Sequence, residues 1–519
     1  MTTGPGQEAR AGQLGLAGIG VSVGLMVAVA VLGPSVMEPV LPGRAGQPPW
    51  AFAAHPSPYL VVGLTAAALA AGALGLVLAL RAVRGGWLVP ARAVLLAGLL
   101  AAVVLTLVPP FGSSDQLSYA AYGRMLVTGH NPYTTTPAQL AALGDPVARA
   151  VQDWFTTPSV YGPLATGVQG LAALIGGTSA RLTVFVLGLA NLAAFAGTAL
   201  LLHGMTRRDP ARQLRAALLW AANPLLLQLL IAGAHVDGQA VVFAVAAVAV
   251  LFGPWGVEHA PVPALTRATL AGVLVGLGFA VKVSDVLVEV GLALALVLRL
   301  RPAGRRAGPP LAALAAGFAV TAGAALAIGG PAMWRQLSRE SDLVSIGSPW
   351  RVVRSGVHLI VAGTAATDII KVGAVALTVL LAVLIVRGLS GAADPGADVA
   401  VAVVLAWLFA WPYVLPWYDA LAWALLALLA WPPAAAGLGW LLLARTTALG
   451  FGYLPARQAD AVLPRGLSWL QPVIRHGVTP AVLAAATVWL AVLMVRSRSR
   501  ERPEPAGTAD PRPAATKAA

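Results

Sequence analysis

Residues 310–330 read PLAALAAGFAVTAGAALAIGG, 21 residues without a charged side chain. About 20 apolar residues in a helix span the roughly 30 Å hydrocarbon core of a bilayer. The stretch therefore predicts a membrane-crossing helix. Working outward, comparable runs lie at 13–33, 59–80, 91–110, 181–203, 214–234, 238–254, 368–388, 398–414 and 478–495. Shorter candidates lie at 160–177, 268–282, 284–299, 418–431 and 434–448. The first run has only Arg10 before it and no small-residue cleavage site, so it reads as a retained helix. Composition agrees: of 519 residues, 58% are hydrophobic and 10% charged, against about 25% charged in soluble domains. The chain has no cysteine, which excludes disulfides, thiolate metal sites and a cysteine nucleophile.

The formal net charge of +14 would suggest nucleic acid in a soluble protein. Here the arginines cluster between apolar runs, which reads as topology, and no nucleic-acid partner is expected. Short Arg-rich loops stay cytoplasmic. Arg81, Arg84 and Arg92 mark one; Arg207, Arg208, Arg212 and Arg215 a second; Arg299, Arg301, Arg305 and Arg306 a third. Arg496, Arg498, Arg500 and Arg502 open a tail. The run 91–110 leaves residue 111 outside, so the number of crossings from there to the second loop must be odd, and 160–177, with Pro163 and several glycines, is expected to be re-entrant or juxtamembrane. Arg267 and Arg299 should share a side, so 268–299 is expected to fold as a hairpin with its apex near Lys282, Ser284 and Asp285. The expected organisation is a cytoplasmic N-terminus (1–10) and a membrane domain (11–495) with about 14 crossings of the length a bilayer requires. Outer loops at 111–162, 331–366 and 449–477 and a disordered basic cytoplasmic tail at 496–519 complete it.

With this orientation the unusual polar residues gather outside. Asp115 opens an expected amphipathic helix on the outer surface, either as a simple N-cap or as a carboxylate able to take a proton from an acceptor hydroxyl. His235 and Asp237 stand in GAHVDGQ, after a helix interrupted at Asn223-Pro224; the segment reads as a solvated loop or part of a site. Lys282, one of three lysines, is either neutralised by Asp285 and Glu289 at helical spacing or is a cation for a phosphate. Arg351, Arg354 and His358 share one side of a short helix, suited to phosphate or to lipid headgroups. Trp411, Tyr413, Trp417 and Tyr418 form either an aromatic belt or a surface on which sugar rings stack. No P-loop, no HExxH and no regularly spaced arginine series is present.

Six pieces, in order, carry a resemblance: SSDQLSYAAYGRMLVTGHNPY (113–133), SVYGPL (159–164), NPLLLQLLIAGAHVDG (223–238), GFAVKVSD (278–285), SPWRVVRSG (348–356) and LPWYDALAW (415–423). The chain resembles the bacterial polyprenol-phosphate-mannose-dependent α-1,6-mannosyltransferases of the glycosyltransferase-C superfamily. The resemblance implies an all-α, polytopic plasma-membrane protein with outer-face juxtamembrane helices. It implies transfer of mannose, with inversion, from polyprenyl-phosphate mannose on the outer leaflet to a mannan acceptor, often lipid-linked. The base would be Asp115, and Lys282, Arg351 and Arg354 are the candidate phosphate ligands. Tyr119, Tyr122, His130, Asn131, Tyr133, Tyr161, His235, Asp237, Trp417 and Tyr418 are the candidate substrate contacts. No metal is expected, because Asp115 is preceded by Ser113 and Ser114 instead of a second carboxylate. Asp419 follows Tyr418 where an apolar residue is expected. A lipid-linked-sugar flippase or transporter and a non-catalytic envelope scaffold are the competing readings.

Overall fold

The structure, a computed structural model, describes residues 5–253, 263–302, 304–361, 364–389, 396–413, 415–430, 433–455 and 463–500. The expected tail beyond Arg500, residues 1–4, and residues 362–363 and 456–462 of the outer loops lie outside these. The described residues hold helices and no strand. In chain order the helices are α1 (Pro5–Leu32), α2 (Pro58–Arg84), α3 (Ala91–Leu107), α4 (Asp115–Val127), α5 (Pro137–Ala142), α6 (Pro163–Gly176) and α7 (Ala180–Met205). Next come α8 (Pro210–Leu219), α9 (Pro224–Leu226, continuing as a π-helical turn, Leu227–Ala232), α10 (Asp237–Phe252), α11 (Ala264–Val281) and α12 (Val286–Leu300). The last are α13 (Gly308–Glu340), α14 (Trp350–Val357), α15 (Thr364–Leu389), α16 (Ala397–Ala410), α17 (Asp419–Ala427), α18 (Pro433–Gly452) and α19 (Thr479–Arg500).

Local sequence sets many of the starts. Proline opens α2, α6, α8 and α9, where its missing N–H costs nothing. Ser57, Ser179, Asp209 and Asn223 cap the starts of α2, α7, α8 and α9 by accepting backbone N–H groups. Asn223-Pro224 breaks the helix where expected, because proline cannot donate to the ladder. Gly330, at φ 65°, kinks α13 just before Pro331 and turns its last ten residues toward the site described below.

Among the described residues nine helices are long and apolar enough to cross a membrane, and four shorter apolar helices stand beside them. The expected number of about 14 is therefore not matched helix for helix. Val320, Ile328 and Val372 are 71%, 75% and 70% exposed, a pattern suited to lipid and not to water. The 14 residues of α6 reach roughly 21 Å at 1.5 Å per residue, short of the roughly 30 Å core.

The expectation for α4 needs correction. It does not lie on the surface as an amphipathic helix: ten of its residues, from Asp115 to Gly123 and Met125, are buried. Gly123 permits this, since a Cβ there would stand 2.1 Å from the carbonyl of Gln169 on α6. Nor is Asp115 the N-cap. Ser114 holds that position, and Asp115 is the first helical residue. A carboxylate there still gains from the helix dipole.

Asp419 also receives a place. It is fully buried, accepting from Arg445 Nε at 2.9 Å and from Thr446 Oγ1 at 2.7 Å. It ties α17 to α18. Asp419→Asn is expected to lower the melting temperature of the purified protein, by about 1–3 kcal/mol of stability. Thermal melts of the purified wild type and variant make the check.

Candidate active site

The entry to α4 is pinned by its backbone. Phe111 N donates to Ala232 O at 2.7 Å and Gly112 N to Met37 O at 2.7 Å. The first contact ties Asp115 to the loop that carries His235 and Asp237. Positions 114, 118 and 122 share one face of α4 and bind the segment 153–157. Ser114 Oγ donates to Asp153 Oδ2 (2.7 Å), Ser118 Oγ to Asp153 O (3.0 Å) and Tyr122 OH to Thr157 O (2.9 Å). That segment delivers Trp154, whose indole Nε1–H donates to Asp115 Oδ1 at 3.1 Å.

His235 faces the other carboxylate oxygen. Its Nδ1 lies 2.6 Å from Leu229 O, and a carbonyl only accepts, so Nδ1 carries the proton and Nε2 is an acceptor. The ring stacks on Trp417, with centroids 3.6 Å apart and planes at 16°. Burial pushes the imidazole down to about 3, with the Lys282 charge acting the same way, so the ring is neutral at pH 7. Its Nε2 stands 3.7 Å from Asp115 Oδ2 and makes no hydrogen bond to a described residue. Two acceptors thus confront one another across a gap too wide for a direct hydrogen bond. A ligand hydroxyl between them has one proton, which it can donate to either.

Trp154 and Ala234 hold left-handed backbone conformations, with φ 61° and 53°. Non-glycine residues there carry about 1–3 kcal/mol of strain each, and such residues concentrate at functional sites. One positions the donor to Asp115; the other precedes His235.

Lys282 follows the last residue of α11 with an extended backbone, φ −146° and ψ 126°. Helical pairing with Asp285 and Glu289 is therefore replaced by a partner 45 residues away. The ammonium bonds the carboxylate of Asp237 and sits 3.6 Å from the centroid of the Tyr418 ring. An ammonium has three donors. Asp237 takes one and the Tyr418 face another, which leaves one for an oxygen of a ligand.

Asp115 and Lys282 line one cavity of about 280 Å³ together with Tyr119, Tyr122, Tyr161, Trp417 and Tyr418. The structure thus brings these seven sequence candidates together, with His235 and Asp237 directly behind them. Tyr161 OH donates to Tyr119 OH at 3.2 Å. Burial, then the charge of Asp115, push the Tyr119 and Tyr122 phenols up, so both stay protonated.

Five candidates stand apart from the cavity. Asn131 Oδ1 accepts from Tyr133 N at 2.9 Å, Tyr133 OH meets Thr166 Oγ1 at 3.1 Å, and His130 Nδ1 meets Thr128 Oγ1 at 3.1 Å. These contacts build the corner after α4. Arg351 is exposed, and Arg354 donates to His358 Nε2 at 3.3 Å. Neither arginine lines the cavity.

Sequence reasoning missed Trp154, Thr157, Glu340 and Trp407, all of which line it. Trp154 is one aromatic residue in a polar loop, and Trp407 lies in an apolar run where tryptophan reads as packing. Trp411 and Tyr413, noticed only as part of a cluster, also line it. Tyr418 stacks on Trp407 at 6.0 Å, and Tyr413 meets Tyr418 edge-on at 6.4 Å. Among the described residues no three His, Asp or Glu side chains converge as a metal-ligand set.

Comparison with known proteins bears on this arrangement. The family model described as alpha-(1→6)-mannopyranosyltransferase, N-terminal domain, matches residues 17–299. That range holds Asp115, His235, Asp237 and Lys282 but not the aromatic wall after residue 400. A protein of Mycolicibacterium smegmatis described as a probable alpha-(1→6)-mannopyranosyltransferase is 32% identical over 138 residues, 26% of this chain and 24% of the relative. An alpha-(1→6)-mannopyranosyltransferase of Mycobacterium tuberculosis is 31% identical over 164 residues, 31% of this chain and 27% of the relative. The chain thus covers about a quarter of the length of each of these curated relatives.

Proposed function

This chain belongs to the alpha-(1→6)-mannopyranosyltransferase family, and we propose that it transfers mannose from polyprenyl-phosphate mannose to a lipid-linked mannan, with inversion and an α-1,6 linkage. The observation that carries this reading is the placement of a carboxylate, Asp115, and a cation, Lys282, on one aromatic cavity.

The acceptor hydroxyl lies in the gap between Asp115 Oδ2 and His235 Nε2 and gives its proton to Asp115. Its oxygen attacks the anomeric carbon from the face opposite the phosphate. The bond from that carbon to the phosphate oxygen breaks, and the electron pair leaves with polyprenyl phosphate. One base suffices for such an inversion. The leaving phosphate needs fixed positive charge instead of an acid, and Lys282 supplies it. Transfer is accordingly expected to survive chelation of divalent ions.

The helices that bear the site support a place on the outer face. α11 carries Arg267 near its start and gives Lys282 at its end; α12 begins at the cavity and ends at Arg299. Arginine-rich ends stay inside, which supports a cavity that faces outward. The test is transfer of radiolabel from polyprenyl-phosphate mannose to a short α-mannoside by membranes containing the protein. Transfer above membranes lacking it supports the reading. Transfer only from a polyprenyl-phosphate arabinose would keep the architecture and change the sugar, and none from either donor would overturn the function.

A further inference from the structure

Glu340 is a carboxylate on the cavity that takes no part in the displacement described above. It is the last residue of α13, beyond the kink at Gly330, and lies outside the residues 17–299 that the family model matches. Leu337 and Glu340 stand three apart on that helix, so they share a face, and both line the cavity. The chain beyond them is tied down. Leu343 N donates to Glu340 O at 3.1 Å, Asp342 pairs with Lys371 on α15, and Ser345 N donates to Pro412 O at 3.1 Å.

The Glu340 side chain is half-buried, and among the described residues its carboxylate has no hydrogen bond or ion pair. Its charge is felt on two walls of the cavity. Burial pushes up the phenols of Tyr122 on α4 and of Tyr418, whose ring lies under the Lys282 ammonium, and the charge of Glu340 adds to both.

An ionised carboxylate accepts hydrogen bonds and donates none. Its ligand must therefore bring hydroxyls or positive charge. The donor phosphate brings neither, and like charge repels it. Lys282 takes the phosphate and Asp115 the acceptor hydroxyl. Attack comes from the face opposite the leaving group, so the sugar in transit lies between these two positions. The cavity, at about 280 Å³, is below the roughly 300–1,000 Å³ of most small-molecule sites, which leaves little room for anything beyond that ring. The hydroxyls of the ring are the donors at hand for a third polar group on the same walls.

We propose that Glu340 is a specificity-determining residue that accepts hydroxyls of the mannose being transferred, and that its charge keeps the donor phosphate at Lys282. The proposal rests on the transferase reading above. It is tested with a short-chain polyprenyl-phosphate mannose and its 2-, 3-, 4- and 6-deoxy counterparts, one α-mannoside serving as acceptor throughout. For the intact donor, Glu340→Gln is expected to lower kcat/KM by about 10–100-fold, the usual weight of hydrogen bonds to a charged group. With wild type, at least one deoxy donor should fall by a similar factor, and for that donor the substitution should cost little more. Glu340→Ala, which removes both acceptor oxygens, is the second variant and should follow the same pattern more strongly. Intact-donor kcat/KM within twofold of wild type in both variants overturns the proposal. So does a loss that is equal for the intact and all four deoxy donors, or a coupling that appears with deoxy acceptors instead of deoxy donors. Each of these leaves the transferase standing. Absence of transfer by wild type removes the transferase reading and this role with it.

Discussion

Asp115→Asn is expected to slow transfer by about 10²–10⁴-fold, the usual range for loss of a general base. The asparagine keeps the shape, and its carbonyl oxygen can still accept from the Trp154 indole, as Asp115 Oδ1 does at 3.1 Å. What disappears is basicity. A loss of 10³ corresponds to about 4 kcal/mol of transition-state stabilisation. The same change gives up only about 0.3–1 kcal/mol of helix-dipole interaction at the start of α4. Protein level in membranes should therefore stay near wild type while rate collapses. Initial rates at saturating donor, normalised to protein detected by immunoblot, make the comparison. A variant that retains transfer within tenfold of wild type would remove Asp115 as the base and return it to a purely structural place.

Much of the fold was readable because long apolar runs admit few alternatives in a chain with 10% charge. The place of Asp115 at the opening of a helix was readable too, although the sequence allowed a simple N-cap beside a reactive carboxylate. The partnership of Lys282 was not. Helical spacing pointed to Asp285, but the backbone leaves the helix at Val281, so spacing along the chain no longer describes proximity. Asp237 meets Lys282 from a segment that follows a π-helical turn and the left-handed Ala234. Neither feature leaves a periodic mark in sequence. The burial of α4 was hidden similarly. Its pattern of alanines and a glycine suits a surface stripe as well as a close approach, and only the packing of α6 on Gly123 decides between them. Arg351 and Arg354 looked suited to phosphate because arginine suits it wherever it lies. Chemistry of that generality does not locate a residue, and these two stand on the exposed α14.

Lys282→Met is expected to destabilise the protein by about 3–5 kcal/mol, because it strands the Asp237 carboxylate with no cation in a buried position. Against a total stability of about 5–15 kcal/mol, the single variant should accumulate poorly, and its lost activity would be uninformative. The double variant Lys282→Met/Asp237→Asn separates structure from chemistry. Removing both charges of a buried pair is often nearly neutral, so the double variant should fold and melt close to wild type in detergent. On the proposed mechanism it should still transfer no mannose, because nothing replaces the cation proposed to meet the leaving phosphate. Lys282→Arg is expected to hold Asp237 and to recover part of the transfer, with the shortfall in kcat and not in acceptor KM. The cycle thus assigns two effects to one side chain: stability follows the pair, and rate follows the cation. A double variant that both folds and transfers at near the wild-type rate would reduce Lys282 to a structural counter-ion. The charge opposite Asp115 would then have to come from elsewhere in the cavity.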